Sequence, residues 1–313
     1  YDKDAGFLRV SFEPYIVSSL EDFGLATINP AKLPFNGLVL NRANSAPKDA
    51  QERLEMLRFK SVARKQVGAL QYLARNGRQE IKPATNQAAR FLEDPGPAVR
   101  HAVHQLWAYL KGTKDFVLEF NTTRGTHKLI AYADSDFCTG DPDTRRSIDG
   151  AVITMHGGTI HASSKGQQNV TLSTTESELM AFNRCAKMCI MLRDFMIEIQ
   201  LMDSTESIPI HEDNEPARTI LSTGKRNNKK AMQAAAFWAC EHVARGIIGS
   251  VEIASKDNKA DLMTKTTFSV TLFDKHRTGL GIVLPLEEPV AMMADSTRPQ
   301  LPLDLLTLHK TAN

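Results

Sequence analysis

Near residue 116 the hydrophobic period of the chain changes from that of helices to that of strands, which restricts the folds open to it. Upstream, apolar residues recur three and four apart: Ile16, Leu20 and Phe23 before Gly24, then Val67, Leu70 and Leu73 before Asn76-Gly77. Val99, Val103, Leu106, Trp107 and Leu110 form one stripe between Pro97, where a helix tolerates proline, and Gly112, where a helix ends. "ATNQAARFLEDPG" reads as a further helix closed by Pro95. Downstream, "DFVLEF", "HKLIAYAD", "GAVITMHGG" and "TIHASSK" are short β-rich runs separated by Asn121, Gly125, Gly150 and Gly157-Gly158. A helix from about Ser173 to Gln200 then carries Leu179, Phe182, Ala186, Cys189 and Met196 on one face. "SIPIHED" and "GSVEIAS" read as strands, with helices over "EPARTILSTG" and "KKAMQAAAFWACEHVARG" between them and a short one over "NKADLMTK" after. This order predicts an α/β protein, a mixed sheet with helices on its faces, preceded by a mostly helical region.

Length and composition exclude several classes. A chain of 313 residues exceeds what one core usually supports, about 250–300 residues, so two domains are expected. A formal charge of +2 excludes a histone-like binder but not nucleic acid, because an acidic site offsets a basic surface elsewhere. Cys138, Cys185, Cys189 and Cys240 show no CxxC spacing, and Cys185 and Cys189, four apart on a helix, read as buried thiols in a reducing intracellular setting. No apolar run reaches about 18 residues, so no membrane span is expected. The opening "YDKDAGFLRV" has neither an initiator Met nor a signal peptide, and reads as a fragment or a processed, unsecreted product.

Four acids stand where a carboxylate is hard to explain as surface: Asp134 at the end of "LIAYAD", Glu178 beside Leu179 and Met180, Asp213 after "IPI", and Asp261 in "NKADLMTK". Each has an ordinary explanation. Asp134 suits a turn, Asp213 a helix N-cap, and Asp261 the first turn of a terminal helix, where its charge favours the dipole. Glu176 completes a capping box with Ser173, which leaves Glu178 without a local role. Those explanations do not predict the ordered set of strand-end Asp, helix Glu, strand-end Asp and helix-start Asp. Carboxylates delivered from separate elements to one place hold hard divalent cations, and four in one crevice repel unless cations neutralise them. Two Mg²⁺ ions, with Mn²⁺ as a substitute, suit the four and point to phosphodiester chemistry. Asp136, two residues past Asp134, is either a supporting acid or part of the turn. Arg145, Arg146, Lys165, Lys229 and Lys230 are candidate phosphate contacts, with a solvated charged face as the alternative for each. Trp107 and Trp238 read as core, and His211 as strand packing.

The run from "YADSDF" through "GDPDTRRSIDGAVITMHGGTIHASSKGQQNVTLSTTESELMA", with "EDNEPA" and "ASKDNKADLMTK", resembles the ribonuclease H domain of copia-type LTR retrotransposon polyproteins. "VGALQYLARNGRQEI", "NQAARFL" and "AVHQLWAYLKGTKDFVLEF" resemble the end of that family's reverse transcriptase, its thumb and connection, so the likeness spans roughly residues 7–284. It implies a thumb/connection region over 1–120, a ribonuclease H-like domain with a mixed five-stranded sheet over 121–268, and an extension over 269–313, disordered after about 284. It also implies cleavage of the RNA strand of an RNA–DNA hybrid, with Asp134, Glu178, Asp213 and Asp261 as catalytic metal ligands, and an upstream polyprotein as partner. A cytoplasmic particle or the nucleus is the expected setting. Two departures stand out: the polymerase Asp-Asp motif is absent, and the family's Lys-His-Ile-Asp signature aligns with Lys230, Ala231, Met232 and Gln233. The second departure leaves open a remnant that binds nucleic acid or a polymerase partner without cleaving.

Overall fold

The computed structural model describes residues 1–2, 4–35, 37, 40–123, 125–138, 143–224 and 233–285, with side chains for all of these except 233–236. The N-terminal part comprises β1 (Phe7–Ser11), α1 (Glu13–Asp22), α2 (Arg42–Ser45), α3 (Ala50–Asn76), α4 (Lys82–Arg90), α5 (Pro97–Gly112) and β2 (Val117–Asn121). β3 (Ile130–Asp136), β4 (Ile148–Met155), β5 (Gly158–Gly166), α6 (Thr174–Glu198) and β6 (Ile208–Glu212) follow. The chain continues through α7 (Glu215–Thr223), α8 (Gln233–Ala244), β7 (Ile248–Glu252), α9 (Asp261–Thr264), α10 (Val270–Gly279) and β8 (Ile282–Val283).

Five strands form a mixed sheet in the order β5-β4-β3-β6-β7. β3, β4 and β5 are an antiparallel meander, and β6 and β7 extend it in parallel from β3. Alternation along β3 serves two cores, because successive side chains leave a strand on opposite faces. Ala131 and Ala133 pack with Phe182, Cys185 and Cys189 of α6 and with Ile208 and Ile210 of β6. Tyr132 joins a second core with Val67, Leu70 and Leu73 of α3, Leu106 and Trp107 of α5, and Met263 of α9. The sheet is covered on both faces, and the N-terminal helices share a core with one of them. Each Leu or Val fully buried there contributes about 1.5–3 kcal/mol.

The N-terminal part is mostly helical, as expected, and it also carries a strand that the sequence reading did not mark: Phe7–Ser11 pairs antiparallel with Val117–Asn121, and β8 completes a three-stranded sheet. Asp261 does not open a terminal helix: α9 is one turn, ended by extended backbone at Lys265, and α10 follows with Phe273 fully buried. Residues 270–283 of the expected extension are therefore packed structure, and the rest of that tail, from 286, lies outside the described residues. The thiols of Cys185 and Cys189 are buried 4.0 Å apart, as their spacing implied.

Candidate metal centre

β3 and β6 are parallel neighbours, with Ala131 opposite Ile210 and Tyr132 opposite His211. Continuing that register by two residues sets Asp213 opposite Asp134. The pair stands toward the carboxyl ends of adjacent parallel strands, where open sheets hold ligands. Asp134 is not in a turn, since β3 runs on to Asp136, and its residue is only 3% exposed. Nor does Asp213 cap α7: Asn214 does so, accepting from the Ala217 N–H at 2.9 Å. α6 supplies the third carboxylate. Ser173 caps it by accepting from the Glu176 N–H at 3.2 Å, and Glu176 reaches back to the Leu172 N–H at 2.8 Å. Glu176 is occupied with the helix end, and Glu178 is not. One oxygen each from Asp134, Glu178 and Asp213 lie within 4.8 Å of one another.

Asp261 sits beside this trio. Lys265 holds its Oδ2 at 2.7 Å, while Oδ1 is buried without a partner. The next turn position but two, Thr264, donates its hydroxyl to Asp134 Oδ2. Asn258 donates to the Ala133 carbonyl at 2.8 Å and fixes the backbone next to Asp134 from the same segment. Gly150, directly opposite Asp134 in β4, leaves the room α9 needs: a Cβ there would meet Thr264 Cγ2 at 2.6 Å and the Ala260 carbonyl at 2.8 Å.

Burial, and then the charge of Asp261, pushes Asp134 up to about 7. Burial pushes Glu178 up to about 10, with Asp134, Glu212 and Asp213 adding repulsion. Asp261 is raised by burial as well, although Lys265 opposes the shift. Lys265 itself is raised, the surrounding carboxylates outweighing its own burial. Among the described residues Lys265 is the one cation paired with the group, and it leaves the buried Glu178 Oε2 and Asp261 Oδ1 unpartnered. An all-oxygen set with unpartnered buried carboxylate atoms fits a hard divalent cation such as Mg²⁺. Asp134, Glu178 and Asp213 would hold it, with Asp261 alongside.

Glu212 and Asp149 are among the buried acids that escaped the sequence reading. Glu212 is 0% exposed, and burial pushes it up to about 8; Oε1 accepts from the Asn214 N–H at 3.0 Å and Oε2 has no partner. Its signal was phase, because Ile208, Ile210 and Glu212 alternate onto one face. Asp149 is pushed up to about 6 by burial, against Gln167, which donates to its Oδ1, and Arg184, 3.3 Å from its Oδ2. Of the basic candidates, Arg145, Arg146 and Lys165 are exposed, the first two just before β4 and the third near the end of β5. Lys229, Lys230 and Ala231 lie outside the described residues. Trp107 is fully buried, Trp238 is half-buried against the α6 core, and His211 stacks on Tyr132 at 4.9 Å.

A three-stranded meander extended by two parallel strands, with carboxylates gathered at its central parallel pair, defines an α/β protein of the ribonuclease H-like class. Over 260 residues the chain is 30% identical to the retrovirus-related Pol polyprotein from transposon TNT 1-94 of Nicotiana tabacum, covering 82% of this chain and 19% of that one. It is 28% identical over 221 residues to the Pol polyprotein from transposon RE1 of Arabidopsis thaliana, covering 69% of this chain and 14% of that one. The chain belongs to the copia-type retrovirus-related Pol polyproteins of transposons and spans about a fifth or less of these relatives. It is also 36% identical over 126 residues to the secreted RxLR effector protein 161 of Plasmopara viticola, covering 40% of this chain and 87% of that one. Among solved structures it is similar to LC11-RNase H1 from compost at 18% identity and a TM-score of 0.36, covering 44% of this chain and 94% of that one. No family model matches. No described helix is long and apolar enough to cross a membrane.

Proposed function

We propose that this chain cleaves the RNA strand of RNA–DNA hybrids by Mg²⁺-dependent endonucleolytic hydrolysis, with Asp134, Glu178, Asp213 and Asp261 as the catalytic carboxylates. The observation that carries the reading is the convergence of three carboxylate oxygens within 4.8 Å, those of Asp134 and Glu178 on buried residues and that of Asp213 on a half-buried one, short of counter-charge. Bound divalent cations would activate the attacking water and stabilise the leaving oxygen of the phosphodiester. The chain's own residues prepare the site. Thr264 restrains the Asp134 carboxylate by donating its hydroxyl to Oδ2. Lys265 keeps Asp261 beside them and limits the repulsion among four acids. At neutral pH burial holds a proton on Glu178, and it must leave before that carboxylate can bind a cation as an anion. Recognition of the hybrid rests on its backbone shape and 2′-hydroxyls, not on base sequence. Arg145 and Arg146, exposed just before β4, would contact backbone phosphates, and an intracellular setting is the one this reading implies. The rest of a polyprotein is the partner on the N-terminal side.

The test uses a 5′-labelled RNA–DNA hybrid. Internal cuts in the RNA strand with Mg²⁺, none with EDTA and none by Asp134→Asn are expected. Ala231 and Gln233, where the family carries His and Asp, favour a second reading in which the chain binds hybrid and no longer cuts. Unchanged hybrid affinity in EDTA together with no turnover in Mg²⁺, in demonstrably folded protein, selects that reading and rejects the first.

A further inference from the structure

β5 is an edge strand, and its outer side is covered by a helix instead of another strand. Two side chains of α4 cap it: Lys82 Nζ donates to the Ala162 carbonyl at 2.7 Å, and Asn86 Nδ2 to the Ser164 carbonyl at 2.9 Å. In an antiparallel ladder a residue whose carbonyl points away from its partner strand turns its N–H the same way. The amide groups of Ala162 and Ser164 therefore face α4 as well. Between this edge, the end of α3 and the start of α4 lies a cleft of about 380 Å³, lined by Arg75, Lys82, Asn86, Ser163, Ser164 and Lys165 among others.

Its charge is one-sided. No acid lines it. Arg75, Lys82 and Lys165 form no ion pair among the described residues, whereas the half-buried Lys60 and the exposed Arg64 on α3 both reach Glu93. Lys82 is partly buried, and its charge is disfavoured first by that burial and then by Arg75. A solvated charged face would spread these cations over the surface. Here they converge on one concavity whose remaining side chains are the amides of Gln71 and Asn86, the hydroxyls of Ser163 and Ser164, and two alanines. Strand register ties the cleft to the carboxylates: Asp134 stands opposite Gly150, and Gly150 opposite Ser164. Two strand spacings, about 10 Å, separate the ends of that row.

We propose that this cleft binds backbone phosphates of one strand of a nucleic acid, as a site separate from the carboxylate centre and held in register with it. Amides, hydroxyls and cations together supply the donors that phosphate oxygens accept from. The polyanion's identity as nucleic acid rests on the cleavage reading, whereas the anion site does not.

Binding of a fluorescein-labelled RNA–DNA hybrid in EDTA tests it, because cleavage plays no part there. Arg75→Ala and Lys165→Ala change exposed side chains, and circular dichroism confirms that each variant is folded. Each is expected to weaken binding about fivefold at moderate salt, and to lower the slope of log K against log salt concentration by about 0.9 per lost contact. Asp134→Asn serves as the separating control. It abolishes cleavage under the function proposed above, yet its hybrid binding should still fall when Arg75 is changed. Should wild-type protein fail to cleave while Arg75→Ala and Lys165→Ala still lose affinity and slope, the cleft stands and the cleavage reading falls. An Arg75→Ala/Lys165→Ala double variant with wild-type affinity and salt slope overturns the cleft. Inorganic phosphate that binds wild-type protein in calorimetry, with hybrid affinity unmoved in the double variant, overturns the nucleic-acid assignment.

Discussion

Thr264 donates its hydroxyl to Oδ2 of Asp134, joining the one-turn helix α9 to the middle strand of the sheet across 130 positions of chain. Replacing Thr264 with Val removes the donor at nearly constant shape. Asp134 then rotates freely among its neighbours, so hybrid cleavage should fall about tenfold or more, in the range typical of a lost positioning contact. Stability should change by only about 1 kcal/mol, the net worth of one hydrogen bond. Turnover rates and urea unfolding on the same preparation check both halves.

Gly150 holds α9 in place from the other side. Its Cβ in Gly150→Ala would stand 2.6 Å from Thr264 Cγ2 and 2.8 Å from the Ala260 carbonyl, and the backbone cannot yield as a flexible side chain can. Overpacking of this kind costs about 1–3 kcal/mol. The variant should lose stability and, because Thr264 and Asp261 move with α9, activity as well. Thermal unfolding and hybrid cleavage measure the two losses. Wild-type values for both would contradict the packing described.

The carboxylates make metal-free stability depend on pH. Burial first and mutual repulsion second hold protons on Asp134, Glu212 and Glu178 up to about 7, 8 and 10 in the folded chain, above the ordinary carboxylate range of the unfolded one. The folded state therefore binds more protons than the unfolded state, and stability falls as pH rises through that window. In EDTA the melting temperature should drop from about pH 6 to about pH 8.5 by on the order of 5 °C, given a few degrees per kcal/mol for a chain of this size. Mg²⁺ should flatten the slope by binding the deprotonated set, and Asp134→Asn should reduce it without metal. A pH-independent melting temperature in EDTA would contradict the arrangement.

Arg78 and Glu80 form a fully buried ion pair at 2.7 Å. Arg78 also donates to the Thr113 carbonyl at 3.0 Å, and the Tyr109 hydroxyl donates to Glu80 Oε1 at 3.2 Å. Glu80→Ala leaves the guanidinium buried without its counter-ion and should cost about 3–5 kcal/mol. Glu80→Met with Arg78→Met should cost much less, since the pair's desolvation disappears with it. Urea denaturation of the three proteins decides this, and a double variant no more stable than Glu80→Ala would contradict it.

The sequence by itself determined what depends on near neighbours. Period alone set α5 and α6, because their apolar residues fall on one helical face wherever the rest of the chain lies. Asp134, Glu178 and Asp213 were legible because each interrupts an apolar run that a surface explanation leaves unaccounted for. Tertiary structure decided the rest. Whether Glu212 is a surface or a core acid depends on β6 lying between β3 and β7 under α6, which no local pattern encodes. Pairing of Phe7–Ser11 with Val117–Asn121 joins segments 110 positions apart, and the energy of that contact belongs to neither segment alone. That Asp261 meets Lys265 while Asp134, Glu178 and Asp213 bring their oxygens within 4.8 Å of one another is likewise a product of packing. Local spacing fixes which way a side chain leaves its own element. Only long-range packing fixes what waits on the other side, and with it which charges must share one pocket.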